Sequence, residues 1–154
     1  MDDDNNSHSQ LGRWAHLLLR GTASAAALLA CAQPVLAGGF LDGHYSLLAA
    51  HRNAAMILAG AILLSLVAAL LLWRPGHGPG RPALACAVAF VLCGGQIGLG
   101  FARVLIIHIP LGIALLVLVL QIALAAWRLP PARRAEAGPA AGAADLPEEV
   151  AVGA

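Results

Sequence analysis

The sequence predicts an all-α fold, a four-helix transmembrane bundle with both termini on the cytoplasmic side (N-in/C-in). Three observations predict it. Sixty per cent of the 154 residues are hydrophobic and 11 per cent are charged, well away from the balance of a soluble globular domain. Four stretches, about 21–41, 53–73, 83–102 and 104–127, contain no Asp, Glu, Lys or Arg, and each reaches the roughly 20 apolar residues that a bilayer crossing needs. The basic residues of the connections are also unequally shared. Arg13, Arg20, Arg74, Arg81, Arg128, Arg133 and Arg134 fall on one side of a four-span arrangement and only Arg52 and Arg103 on the other, which by the positive-inside rule makes the richer side cytoplasmic.

Taken in order, residues 1–13 form an acidic segment opening with Asp2, Asp3 and Asp4; too polar to build a core, it reads as a disordered tail. The helical domain covers 14–128. Its first span, after Arg13 and Arg20, has a competing reading, because Leu28-Leu-Ala-Cys31 resembles the end of a lipoprotein signal. The apolar character continues through Pro34, Val35 and Leu36, as a spanning helix requires. Between spans two and three, Trp73-Arg-Pro-Gly-His-Gly-Pro-Gly-Arg-Pro82 stops one helix, turns, and restarts the next at a proline suited to a first helical turn. Trp14, Trp73 and Trp127 all fall at cytoplasmic span ends, where amphipathic rings favour the interface. Residues 129–154, rich in Ala, Pro and Glu, read as a second disordered tail. Cys31, Cys86 and Cys93 lie within spans and read as small buried apolar residues. A net charge of +1 without a basic stripe argues against a nucleic-acid partner. The lipid bilayer is the partner the composition demands, and a multi-pass protein of a bacterial plasma membrane is the expected location.

Ionisable side chains at membrane depth are costly and point to function. Asp42-Gly-His44-Tyr-Ser-Leu-Leu-Ala-Ala-His51-Arg52 leads into span two, and Leu105-Ile-Ile-His108-Ile-Pro110-Leu-Gly112 leads into span four. His51 and His108 therefore approach the same outer face. Two imidazoles across a four-helix bundle suit the axial positions of a haem b iron; Arg52 and Arg103 suit its propionates through their forked donors. Gly94, Gly95, Gly98 and Gly100 thin span three where a flat cofactor needs room, although Gly94-x-x-x-Gly98 is equally a helix-packing motif. Histidines near helix ends also commonly do no more than bond a carbonyl. His44 competes with His51 as a ligand if the helix extends back past Gly43, while His8, His16 and His77 read as solvated. Gln33, Gln96 and Gln121 are buried amides in need of partners; interhelical bonding is the simpler role, and Gln96 is the candidate to touch haem or a quinone. No hydrolase, phosphate-loop or metalloprotease motif is present and no span carries a carboxylate, so enzymatic activity is not expected.

The order Gln33-Pro-Val-Leu-Ala-Gly38, His51, Gln96, His108-x-Pro-x-Gly112 resembles a family of four-helix integral membrane proteins common in actinobacteria, over about residues 20–127. It is similar also to one half of haem A synthase, in which a His-Arg pair opens the second helix and another histidine opens the fourth; His51-Arg52 and His108 stand in those places. That resemblance implies haem held by the histidine pair on the outer side. The departures are that positions 47–50 are Leu-Leu-Ala-Ala, without the glutamate that precedes the His-Arg pair in the catalytic half of that enzyme, and that the second half is missing. The resemblance thus implies a haem b electron-transfer or carriage module without haem A synthesis. The alternative is an accessory subunit that packs small residues such as Ala59, Gly60 and Gly94 to Gly100 against a membrane protein partner or in a homodimer.

Overall fold

The computed structural model describes residues 2–74 and 78–130, with side chains from Gln10 onward. Four helices follow one another up and down: α1 (Asp2–Leu41), α2 (Ser46–Trp73), α3 (Arg81–Phe101) and α4 (Leu105–Arg128). All four are long and apolar enough to cross a membrane. Each packs on its neighbour in sequence and α4 closes on α1; among the described residues the backbones of the diagonal pairs, α1 with α3 and α2 with α4, stay apart. The bundle axis is therefore left to side chains.

More than half of those side chains are small, Ala or Cys. On α1 the inward stripe is Ala15, Leu19, Ala23, Ala26 and Ala30; α2 contributes Leu58, Ile62, Ala68, Ala69 and Leu72; α3 contributes Ala83, Cys86, Ala89 and Cys93; and α4 contributes Leu115, Val119, Ile122, Ala123 and Ala126. The spacing of three and four residues keeps each stripe on one helical face. Large apolar residues point the other way, with Val91, Ile106 and Leu28 among the most exposed. Small residues inside and bulky ones outside is the arrangement of helices packed in lipid, where close backbone approach replaces the hydrophobic drive. Polar contacts inside the bundle are few and paired: the Ser65 hydroxyl lies 2.9 Å from Thr22 Oγ1, which donates to the Leu18 carbonyl at 2.8 Å.

The helices exceed the predicted spans in two places. α1 begins at Asp2, so residues 2–13 of the segment read as a disordered tail continue the helix; the segment contains no proline and its first glycine is Gly12. α2 begins at Ser46, not 53, because His51, Arg52 and Asn53 interrupt the apolar run without interrupting helical geometry. The tail over 131–154 and His77 lie outside the described residues, as does the side chain of His8. His16 differs from its expected solvated role: it is 4% exposed, falling on the inward face of the lengthened α1 beside Ala15 and Leu19. Cys31 is exposed while Cys86 and Cys93 are buried, so only two of the three cysteines are core residues.

At the end that holds the C-terminus of α4, Arg20 reaches across from α1. Its Nε donates to the Ala126 carbonyl at 3.2 Å, its Nη2 to the carbonyls of Trp127 at 3.3 Å and Leu129 at 3.1 Å, and its guanidinium lies 5.1 Å from the centre of the Trp127 ring. Trp127 Nε1 donates in turn to Ser24 Oγ at 3.0 Å. The last carbonyls of a helix have no partners within the helix, and a cation there also meets the negative end of the dipole.

Candidate functional site

At the opposite end, the two connections are built alike. α1 ends with the amide of His44 bonded to the Gly39 carbonyl at 3.0 Å and that of Gly43 to Phe40 at 3.1 Å; α3 ends with Val104 bonded to Leu99 at 3.0 Å and Arg103 to Gly100 at 3.2 Å. Both are Schellman closures, which place one residue in the left-handed region. In the first turn that residue is Gly43 (φ 95°), and in the second it is Arg103 (φ 59°). Glycine adopts this conformation freely, whereas a side chain there costs about 1–2 kcal/mol. Replacing Arg103 with glycine is accordingly expected to raise stability by about 1 kcal/mol, measured by thermal unfolding in detergent. Arginine at this position costs stability, and such strain is commonest at functional positions.

Each hairpin then places a glutamine on its first helix beside a histidine on its second. His51 Nδ1 lies 3.3 Å from the Gln33 carbonyl and His108 Nδ1 3.0 Å from the Gln96 carbonyl. A carbonyl can only accept, so in this arrangement each Nδ1 carries a proton, and in the neutral ring Nε2 is then the nitrogen with a lone pair. The two rings meet across the α2–α4 diagonal with centroids 6.5 Å apart and planes at 61°. One residue from every helix thus contributes to a single polar layer: Gln33, His51, Gln96 and His108.

Glycines permit the close fit. A Cβ on Gly100 would stand 2.9 Å from His108 Cε1, and one on Gly112 would stand 2.7 Å from Gln96 Nε2. Through the gap at Gly112, the Gln96 amide donates to the His108 carbonyl at 2.7 Å, reciprocating the bond from the histidine ring. Gly112→Ala should push the Gln96 amide away and cost about 1 kcal/mol, the net worth of one hydrogen bond, in the same unfolding assay. Gly94, Gly95 and Gly98 are exposed, with open space where a side chain would begin. They line the outer surface of α3, not the histidine layer, and only Gly100 of that group serves the site.

The remaining predicted residues are spread around the layer. Arg52 is exposed, its guanidinium 5.5 Å from the centre of the Phe101 ring. Arg103, also exposed, stands at the same end in the α3–α4 turn. His44 lies in the exposed α1–α2 turn, 4.0 Å from Asp42, and does not join the layer; Gly43 ends α1 before it. Gln121 is exposed on α4. Two polar atoms of the layer itself, Gln33 Nε2 and Gln96 Oε1, are buried without a hydrogen-bond partner among the described residues, a costly condition unless something else satisfies them. Sequence reasoning singled out Gln96 but gave Gln33 only an interhelical hydrogen bond through its side chain; the contact that brings Gln33 to His51 runs through its main chain, which no side-chain pattern reports.

Among the described residues no cluster of three or more His, Cys, Asp or Glu side chains exists that could cage a metal ion by itself. The layer offers two imidazoles, each with Nδ1 held by a carbonyl, an arrangement also common around metal-bound histidines. No protein-family model, curated protein or solved structure matches this chain.

Proposed function

We propose that this chain is an integral membrane protein that binds haem b between His51 and His108 and serves in electron transfer or haem carriage. The observation that carries the reading is the separation of the two rings. Imidazole nitrogens about 2.0 Å from a shared ion put ring centres about 6.3 Å apart when trans and about 5.1 Å apart when tetrahedral. The observed 6.5 Å is compatible with the trans spacing, the one that axial ligation of a haem requires. The unpartnered Gln33 and Gln96 atoms and the cradle at Gly100 support a site with something further to hold.

In this reading the bundle does the positioning. Carbonyls of α1 and α3 fix both tautomers, the apolar helices exclude water, and Arg52 and Arg103 at the same end offer guanidinium donors to propionates. When bound, haem b supplies a one-electron iron couple. The arginine distribution supports reading that end as the outer one, in a bacterial plasma membrane with both termini in the cytoplasm, and the likeness to half of haem A synthase, proposed from the motif order, supports the same end. The deciding experiment is a reduced-minus-oxidised absorbance spectrum of protein purified from haem-supplemented cells. A low-spin haem b spectrum at about one haem per chain is expected; well-folded, colourless protein would overturn the reading.

A second reading, an accessory subunit that packs against a partner or in a homodimer, is favoured by the outer face of α3. Gly94, Gly95 and Gly98 are exposed on the same helix as an open apolar groove of about 280 Å³ lined by Ala87, Val88, Val91 and Leu92. On this reading Gly98→Leu abolishes co-purification with a membrane partner and leaves any haem spectrum unchanged.

A further inference from the structure

The outer surface of α4 carries one residue out of keeping with lipid. Leu115, Val119, Ile122 and Ala126 form the inward stripe of this helix, and α1 and α3 are its neighbours in the bundle. From Leu105 to Ala125 every other exposed residue of α4 is apolar; Gln121 is exposed and polar. It stands seven residues before Arg128, about 10 Å further along the helix axis, and so within the hydrocarbon when α4 spans the bilayer. A carboxamide facing lipid leaves two donor hydrogens and an acceptor oxygen unpaired, which is costly where no water reaches. Gln33 and Gln96 turn polar atoms into the bundle, whereas Gln121 looks away from it, so a partner for its amide has to come from outside the chain.

We propose that a second copy of this chain covers this face, the two α4 helices crossing at Gln121 about a two-fold axis along the membrane normal. A carboxamide is its own complement. Each Nε2 donates to the other copy's Oε1, so one symmetric contact satisfies donor and acceptor on both chains; a partner offering only a donor or only an acceptor would satisfy half. The surroundings admit the approach. Ala114 and Ala125, seven residues before and four after Gln121, fall on the same helical face and are exposed, and small residues there let two backbones come close. Arg128 shares the face but sits at the water boundary, where a long side chain turns its charge out toward the headgroups and away from its copy. The pairing does not depend on haem and uses a helix other than the one that carries the exposed glycines.

Energy transfer between donor-labelled and acceptor-labelled full-length chains, diluted stepwise in lipid vesicles, measures the association. Wild type is expected to form a reversible dimer. Gln121→Leu, which replaces the amide with a side chain that lipid accepts and so leaves the fold intact, is expected to weaken it about tenfold. Gln121→Asn, with a shorter amide, should fall between, and Gly98→Leu on α3 should change nothing. Cross-linking in the membrane locates the contact. With Cys31 replaced by alanine the remaining cysteines are buried; Ala125→Cys is then expected to give a disulfide-linked dimer on mild oxidation, and Val91→Cys, exposed on α3, to give none. Chains monomeric throughout the dilution would overturn the proposal, as would equal association of wild type and Gln121→Leu, or cross-linking through Val91→Cys in place of Ala125→Cys. Capture of a different membrane protein by a chain that does not self-associate would likewise replace the second copy as the occupant of this face.

Discussion

If the chain binds haem as proposed, His51→Ala and His108→Ala are each expected to abolish its low-spin spectrum and His44→Ala to leave it intact. The first two remove one of the paired nitrogens; the third removes an exposed imidazole of the α1–α2 turn that lies outside the layer. The effects differ in size. Loss of a hydrogen bond supporting a metal ligand typically costs about 10–100-fold in affinity, and loss of the ligand itself should exceed that. His108→Ala, which deletes the firmly clasped ring, is expected to lower haem retention by more than about 100-fold. His51→Ala keeps His108 and should retain a high-spin haem. Gln96→Ala, which preserves the carbonyl beside His108 but removes the 2.7 Å bond to its main chain, belongs in the 10–100-fold range. Absorbance per mole of purified chain checks all four, and an unchanged low-spin spectrum in His108→Ala would rule out the pair as ligands.

Arg20→Ala destabilises the bundle by about 2–3 kcal/mol, the largest effect expected of any residue outside the histidine layer. Hydrogen bonds from charged donors contribute about 1.5–3 kcal/mol, and attraction to the α4 dipole adds about 0.3–1 kcal/mol. Partial exposure reduces the sum, since the Nη2 bond to Trp127 faces the exterior. Arg20→Lys should recover only part of the loss, because an ammonium lacks the planar fork that reaches three carbonyls and stacks on Trp127. Thermal unfolding in detergent measures both. A melting temperature unchanged in Arg20→Ala would mean that water and detergent satisfy the α4 carbonyls as well as the guanidinium does. Because Arg20 and the histidine layer lie at opposite ends, the spectrum of folded Arg20→Ala protein should match wild type.

The helical domain was legible because hydrophobicity over about 20 residues reports burial in lipid directly. Helix ends were less so. Polar residues closed the apolar window at 53, yet Ser46 to Arg52 remained helical, since the polarity of a side chain and the geometry of the backbone are separate properties. The shared end of His51 and His108 followed from counting spans. Their supports did not: the acceptors are main-chain carbonyls of Gln33 and Gln96, and every residue type has one. The direction of the α3 glycines was unreadable for another reason. A helix apolar all round has no polar face to orient it, so the pattern could not say that Gly94, Gly95 and Gly98 look outward while Gly100 meets His108. Gly112 likewise reads as a generic small residue until the Gln96 amide is seen to occupy the space it leaves.

The placement of one histidine in each hairpin bears on how the protein is made. The first hairpin leaves the ribosome with His51 and its Gln33 carbonyl but without a second ring; the other half of the layer is encoded more than forty residues later, at Gln96 and His108. Neither hairpin alone carries both rings, so the paired site comes into being only when the last helix docks. On the proposed reading, cofactor capture would be tied to completed insertion, since a chain truncated after α3 keeps only one imidazole of the layer, His51, without its opposing partner.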